Sequence, residues 1–418
     1  MTTMTTKQPS RQHQHIIPPS LAWLAVFVPA VAYFIASRFN LTGQLGTPVL
    51  ASFITAAEAA NDAASTAASA QLLTIFPSPI TDASVMLVLA NLTDITSAAW
   101  MNDAELGRGF ILLSSSTAAG RVWRWERGGG PIPIGKTLFL EQSGCRSTDI
   151  CTAGSGAIAV DFQAQETSLQ GKLMVAEWGE QRIIRLEESG ARTPLILQVP
   201  DVCHPETSTV RLHQPTSMLM TPFGDLIVVD HAADCRISVV WRLQKAMQVP
   251  ALQSAWDSRL AHKWTQVQHN HSLDKVLQAS RVGGIALDGT WEGLYAVVRG
   301  NGGKVRLLLV PLLPDEDDEQ TTPKETQTIM DISDYTATPG PLVMDKSQNL
   351  YVGLDDGILI VSPAPHKVLG KLQLPERPVT LTIGEDGFFY VSSTTNLYRF
   401  KIKIGPMMVP TNLVKKTR

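Results

Sequence analysis

Two side-chain pairs in this chain have the residue types and spacing for general-base chemistry: Asp230 beside His231, and Glu177 with His213. A carboxylate or imidazole that is partly buried and given a partner can hold its proton affinity near neutrality and take a proton from attacking water. Each carboxylate also has a structural use, accepting turn amides or pairing with Arg182 and Arg236. His262, His269 and His271 lack acidic or cysteine company at ligand spacing, so they make a poor metal cluster. The four cysteines, Cys145, Cys151, Cys203 and Cys235, contain no Cys-x-x-Cys pair. Buried free thiols are the plain reading. In an oxidising compartment Cys145–Cys151, with its short separation, is the expected bridge among three possible pairings.

These residues must be positioned by strands. Past residue 84, short apolar runs alternate with Gly, Asp and Pro, a strand signal. One unit recurs: an apolar strand ending near Asp or Gly, a turn, then a second apolar strand, as in Met218-Leu219-Met220 followed by Phe223-Gly224-Asp225-Leu226-Ile227-Val228. The markers Leu173, Leu226, Leu294, Leu350 and Phe389 return every 39 to 68 residues. With an earlier copy at Gly109–Leu113, they predict an all-β, six-bladed β-propeller. The last blade runs out of chain after three strands, so its outer strand is expected from Ser84–Leu89, closing the ring and hiding both sheet edges. Residues 251–280 form the longest insertion. Trp256, Leu260 and Trp264 share one helical face there, which predicts a helix.

In such a blade, the segment leading into the innermost strand and the turn after the second strand lie on the same face. Glu177-Trp178, Asp230-His231, Arg299-Gly300-Asn301, Asp355-Asp356 and Ser392-Ser393 are therefore expected to ring one mouth of the central channel. Asp230, His231 and Glu177 are the catalytic candidates. Trp178, His213, Thr216, Arg299 and Asn301 are the substrate-binding candidates.

The 418 residues are 44% hydrophobic and 17% charged, with a formal net charge of −3. Such a chain can bury a large core, and it offers no basic stripe to neutralise nucleic-acid phosphates. Residues 16–37 carry no formal charge and as a helix would rise about 33 Å, enough to cross a bilayer as a single-pass signal anchor. Lys7 and Arg11 precede that span, which places residues 1–15 in the cytoplasm and the rest in the secretory-pathway lumen or outside the cell. Asn40, Asn91 and Asn270 open Asn-x-Ser/Thr triplets that agree with that side. Residues 38–83, rich in Ala, Ser and Thr, read as a stem. The propeller then spans 84–406, and 407–418 form a basic tail ending in Lys415-Lys416-Thr417-Arg418.

GRVWRWERGG, LMVAEWGEQRIIRLEESGARTPL, RLHQPTSMLMTPFGDLIVVD and NLYVGLDDGILIVSP each resemble a stretch of the regucalcin (senescence marker protein)/gluconolactonase-like propellers, in family order. Strictosidine-synthase-like propellers are more distant relatives in architecture. The resemblance implies hydrolysis of sugar lactones or related esters with one divalent cation, calcium or zinc, in the central channel. It matches Asp230 and Glu177 to an Asp and a Glu of the family, and puts Trp178 where the family has His. At the four cation-site positions this chain has Thr96, Thr216, Gly283 and Gly340 instead of acidic or Asn residues. No cofactor is therefore expected, unless a divalent cation site is rebuilt elsewhere. Three functions remain open: a membrane-anchored lactonase or arylesterase with a rebuilt site, a degenerate propeller that binds a small molecule or protein, and a strictosidine-synthase-like condensing enzyme.

Overall fold

Every residue of Leu226-Ile227-Val228-Val229 is buried, and successive side chains leave the strand in opposite directions. Leu226 and Val228 pack with Met174 and Ala176, whereas Ile227 and Val229 pack with Leu294 and Ala296. A strand that is apolar on both faces needs a sheet against each of them. The same demand repeats along the chain, and it is met by six four-stranded antiparallel sheets arranged in a ring.

A computed structural model describes residues 80–103, 108–117, 120–126, 136–144, 153–162, 171–206, 209–232, 234–244, 273–300, 302–312, 325–402 and 405–406. The chain enters with β1 (Ile80–Leu89). The first blade is β2 (Ile95–Asp103), β3 (Arg108–Ser115), β4 (Arg121–Trp125) and β5 (Thr137–Glu141). The second is β6 (Ser155–Asp161), β7 (Lys172–Glu177), β8 (Arg182–Leu186) and β9 (Arg192–Ile196). The third is β10 (Pro215–Met220), β11 (Leu226–Ala232), β12 (Ile237–Leu243) and β13 (Asp274–Ala279). The fourth is β14 (Arg281–Leu287), β15 (Gly293–Arg299), β16 (Val305–Pro311) and β17 (Gln327–Asp331). The fifth is β18 (Leu342–Met344), β19 (Leu350–Gly353), β20 (Gly357–Val361) and β21 (Val368–Gln373). The sixth is β22 (Thr380–Ile383), β23 (Phe388–Ser392) and β24 (Leu397–Ile402), completed by β1, which pairs antiparallel with β24 from Ile80↔Ile402 to Leu89↔Leu397.

Among the described residues, six apolar clusters fill the six seams between consecutive blades. The seam between the sixth and first blades is the most aromatic. Tyr390 stacks on Trp100 at 5.8 Å and meets Trp125 edge-on at 5.9 Å. The recurrent Asp at the first hairpin of a blade closes the turn: the Asp345 carboxylate accepts from the backbone amides of Ser347 and Asn349 and from the Tyr351 hydroxyl.

The expected propeller and its closing strand are both present, with corrections. The closing strand begins at Ile80, four residues before the expected boundary. The helix expected over 251–280 does not extend through its last turn: Asp274–Ala279 is β13, the outer strand of the third blade. Its sequence, Asp-Lys-Val-Leu-Gln-Ala, is half-exposed and lacks the apolar run that marks inner strands. Trp256, Leu260, Trp264, His262, His269 and His271 lie outside the described residues, as do the 16–37 span, the stem to residue 79 and the 407–418 tail. Cys203 and Cys235 are not free thiols; they form a disulfide across 32 residues of sequence. It joins the β9–β10 connection to the β11–β12 turn, two segments that only the folded blade brings together. Cys145 and Cys151 lie outside the described residues.

If β1 closes the ring, its removal must open a seam and expose the edge of β24. A chain starting at Pro79 is expected to melt cooperatively, whereas one starting at Asn91 is expected to lose that transition or aggregate. Thermal melts by circular dichroism distinguish them, and equal melting of the two would contradict the closure.

Candidate functional site

Closing the ring brings the free edges of β2, β6, β10, β14, β18 and β22 around a central cavity of about 1190 Å³. Backbone groups on those edges need partners. Short side chains and backbone contacts supply several. The Thr96 hydroxyl lies 2.9 Å from the Ser155 carbonyl oxygen and 3.1 Å from that of Gly156. Ser97 accepts from the Ile158 amide, and Thr380 accepts from the Ala98 amide. On the other side of the hub, the Gly284 amide donates to the Gly340 carbonyl at 2.8 Å.

Three of the four positions that the resemblance assigns to a cation are in other use. Thr96 spans two blades, and Thr216 is an exposed hydroxyl on the cavity wall. At Gly283 a Cβ would stand 2.5 Å from the Gly340 carbonyl oxygen, and at Gly340 it would stand 2.1 Å from that of Gly353. The backbones pack too closely there for any side chain. A divalent cation takes six to eight oxygen ligands if calcium, or four N, O or S donors if zinc. One engaged hydroxyl, one exposed hydroxyl and two glycines do not fit such an ion. Among the described residues no group of three His, Cys, Asp or Glu side chains could hold one either.

The strand alternation seen in β11 separates the predicted pair Asp230 and His231. Asp230 follows the face that packs on the second blade and is buried. Its carboxylate accepts from the His213 amide at 3.2 Å and the Gln214 amide at 2.8 Å, tying down the segment that leads into β10. Burial pushes this carboxyl above the ordinary carboxylate range, against the pull of those two amides. His231 turns the other way and lines the cavity. Its Nδ1 lies 3.1 Å from the hydroxyl of fully buried Ser238. Burial first, and the nearby Arg281 guanidinium second, hold its pKa below the usual imidazole value. The imidazole is therefore neutral at pH 7 and can accept a proton.

Glu177 and Trp178 part in the same way. Glu177, 1% exposed, accepts from Arg182 at 2.6 Å and from Arg192 at 2.8 Å and does not line the cavity. Trp178 does line it, with its indole N–H donating to the Pro215 carbonyl at 2.9 Å. His213 is half-buried with its Nε2 unpartnered. Arg299 is exposed at the rim, cross-strand from Arg281, and Asn301 lies outside the described residues. Asp355 repeats the role of Asp230, accepting from Thr336, Ala337 and Thr338 ahead of β18. Burial alone would raise its pKa, but these bonds and nearby Arg377 hold it below the ordinary range. Sequence reasoning missed Arg281, Arg377, Gln214 and Ser238 at this mouth. Arg281 could have been found, since it opens the innermost strand of its blade. Ser238 could not, because only the β11–β12 register sets it opposite His231.

No known protein-family profile and no curated protein sequence matches this chain. Solved structures do. A gluconolactonase from Xanthomonas campestris superposes with a TM-score of 0.56 at 15% identity, covering 78% of this chain and 91% of that one. A structural-genomics target carrying a gluconolactonase assignment superposes with a TM-score of 0.52 at 13% identity, covering 81% of this chain and 97% of that one. At this identity the likeness establishes a shared gluconolactonase-like propeller fold.

Three measurements follow from these contacts. Gly283→Asn, which restores a family-type donor, should destabilise the chain by about 1–3 kcal/mol through overpacking rather than create a cation site; urea melts with and without calcium test it. Glu177→Gln leaves Arg182 and Arg192 without their anion and should cost about 3–5 kcal/mol in the same assay. The raised pKa of Asp230 means that the folded chain holds this proton more tightly than the unfolded chain. Its contribution to stability is therefore full in acid and declines as pH rises from the ordinary carboxylate range through the raised value. Asp230→Asn should lack that decline.

Proposed function

We propose that the chain is a hydrolase of lactones or esters that works without the family cation and uses His231 as its general base. The observation that carries this reading is the His231 imidazole on the cavity wall, 3.1 Å from the Ser238 hydroxyl and facing a channel mouth that also holds Arg281. His231 would take a proton from water as the hydroxide adds to the carbonyl carbon. The tetrahedral oxyanion would then collapse, breaking the acyl C–O bond, and the imidazolium would return its proton to the leaving alkoxide. Arg281 would stabilise the oxyanion and then the product carboxylate. Asp230 is assigned a positioning role through residues 213 and 214, and Trp178 and Thr216, which line the cavity, border the substrate, whereas His213 does not line it.

The single-pass anchor and the luminal or extracellular placement belong to the same proposal. The Cys203–Cys235 disulfide supports an oxidising compartment. Asn91, exposed at the β1–β2 turn, supports glycosylation there. A second reading, a propeller that binds without turnover, draws on Glu177 and Asp230, both committed to structural contacts.

The lowered pKa of His231 keeps its base form present to below the usual imidazole value, so kcat/KM should fall only on the acid side of pH 6.5. His231→Gln should lower kcat/KM by about 10²–10⁴-fold and abolish that acid limb. Assays on lactones and aryl esters across pH decide the matter. Unchanged turnover in the variant would contradict the role of His231, and an inactive parent chain would favour the binding-only reading.

A further inference from the structure

The two ends of the central cavity differ in chemistry. The end where the innermost strands begin is polar and cationic: Arg281 is exposed with no ion pair among the described residues, Arg299 stands cross-strand from it, and His231, Thr216 and Gln214 complete the rim. Arg377 also lines this end, 3.6 Å from Asp355, and Asp94 is the acid beside them. Below the rim most of the side chains on the wall are apolar. Half-buried Ala98, Leu219, Met220 and Val343 present methyl and thioether groups to the cavity. Trp291 and the 43% exposed Phe162 stand near the far end. The polar side chains below the rim are Ser97, which already accepts from the Ile158 amide, Ser217, Thr382, Asn102, which already accepts from the Trp100 indole, and Glu385 at the opposite mouth. Strands of about six residues make this channel about 20 Å deep.

We infer that the channel takes an amphiphile, with a carboxylate or ester carbonyl head at Arg281 and His231 and an unbranched hydrocarbon tail running down the apolar wall. A sugar lactone fits less well below the rim, because the apolar side chains there offer its hydroxyls no partners in place of water. A hydrocarbon tail displaces water from the apolar side chains there. The inference rests on the hydrolase reading for the identity of the head group, and it narrows the substrate class to aliphatic lactones and acyl esters. Recognition of the tail does not depend on turnover.

The test is calorimetric titration of the full-length chain in lipid nanodiscs, with empty nanodiscs subtracted, using hexanoate, octanoate, decanoate, decanol and gluconate as probes. Affinity is expected to rise about three- to fourfold per added methylene. Decanoate should bind more tightly than decanol, and gluconate should not bind at the same concentrations. Arg281→Gln should remove the preference for decanoate over decanol. Ala98→Phe should weaken decanoate more than hexanoate, and the chain-length series on the parent protein stands even if that variant misfolds. Affinity that does not depend on chain length, gluconate binding as tightly as decanoate, or equal binding of decanol and decanoate would overturn the inference. Decanoate binding without turnover of any lactone would sustain it while removing the hydrolase reading. Turnover of sugar lactones without decanoate binding would do the reverse.

Discussion

Each blade of this protein is apolar on both faces, and that constraint sets everything else. Leu226 and Val228 need one neighbouring sheet while Ile227 and Val229 need another, so no blade can bury its core alone. A ring satisfies all six at once, provided the chain supplies a final strand to seal it, and β1 does so. Closure then forces six strand edges together at the hub, where unpaired amides and carbonyls would be costly. In this chain the hub is tied by Thr96, Ser97, Thr380 and the close approach of Gly284 to Gly340. Of the four positions that the resemblance assigns to a cation, Thr96 ties two blades and Gly283 and Gly340 sit in close backbone packing, while Thr216 stays exposed on the cavity wall.

The same alternation sorts the mouth residues by role. At the end of the second strand of these blades, one residue faces the preceding blade and the next faces the following one. Glu177 and Asp230 take the first orientation and become anchors, one for two arginines and one for two amides. Trp178 and His231 take the second and reach the cavity. Structure and chemistry are thus divided between adjacent residues of one strand.

Much of this was legible in the sequence. The repeat of apolar strand, Asp or Gly turn and second strand carried the blade count, and the unpaired run at 84–89 implied the closing strand. The mouth position of Asp230-His231 and Glu177-Trp178 followed from blade geometry, and period-two alternation could have told which member of each pair faces inward. Other features had no local signal. β13 is half-exposed, and the helical spacing of Trp256, Leu260 and Trp264 overran it. Cys203 meets Cys235 only because the β9–β10 connection folds over the β11–β12 turn. Glycine at 283 and 340 reads as loss of a ligand in one dimension. In three it is a steric requirement, of the seam between the fourth and fifth blades at Gly283 and of packing within the fifth blade at Gly340.

The most direct test of this account is crystallographic. Crystals of the chain soaked in zinc or manganese and measured at the metal edge should show no anomalous peak in the central channel among Thr96, Thr216, Gly283 and Gly340. A peak there, with the Gly283 and Gly340 backbones parted to admit ligands, would contradict it.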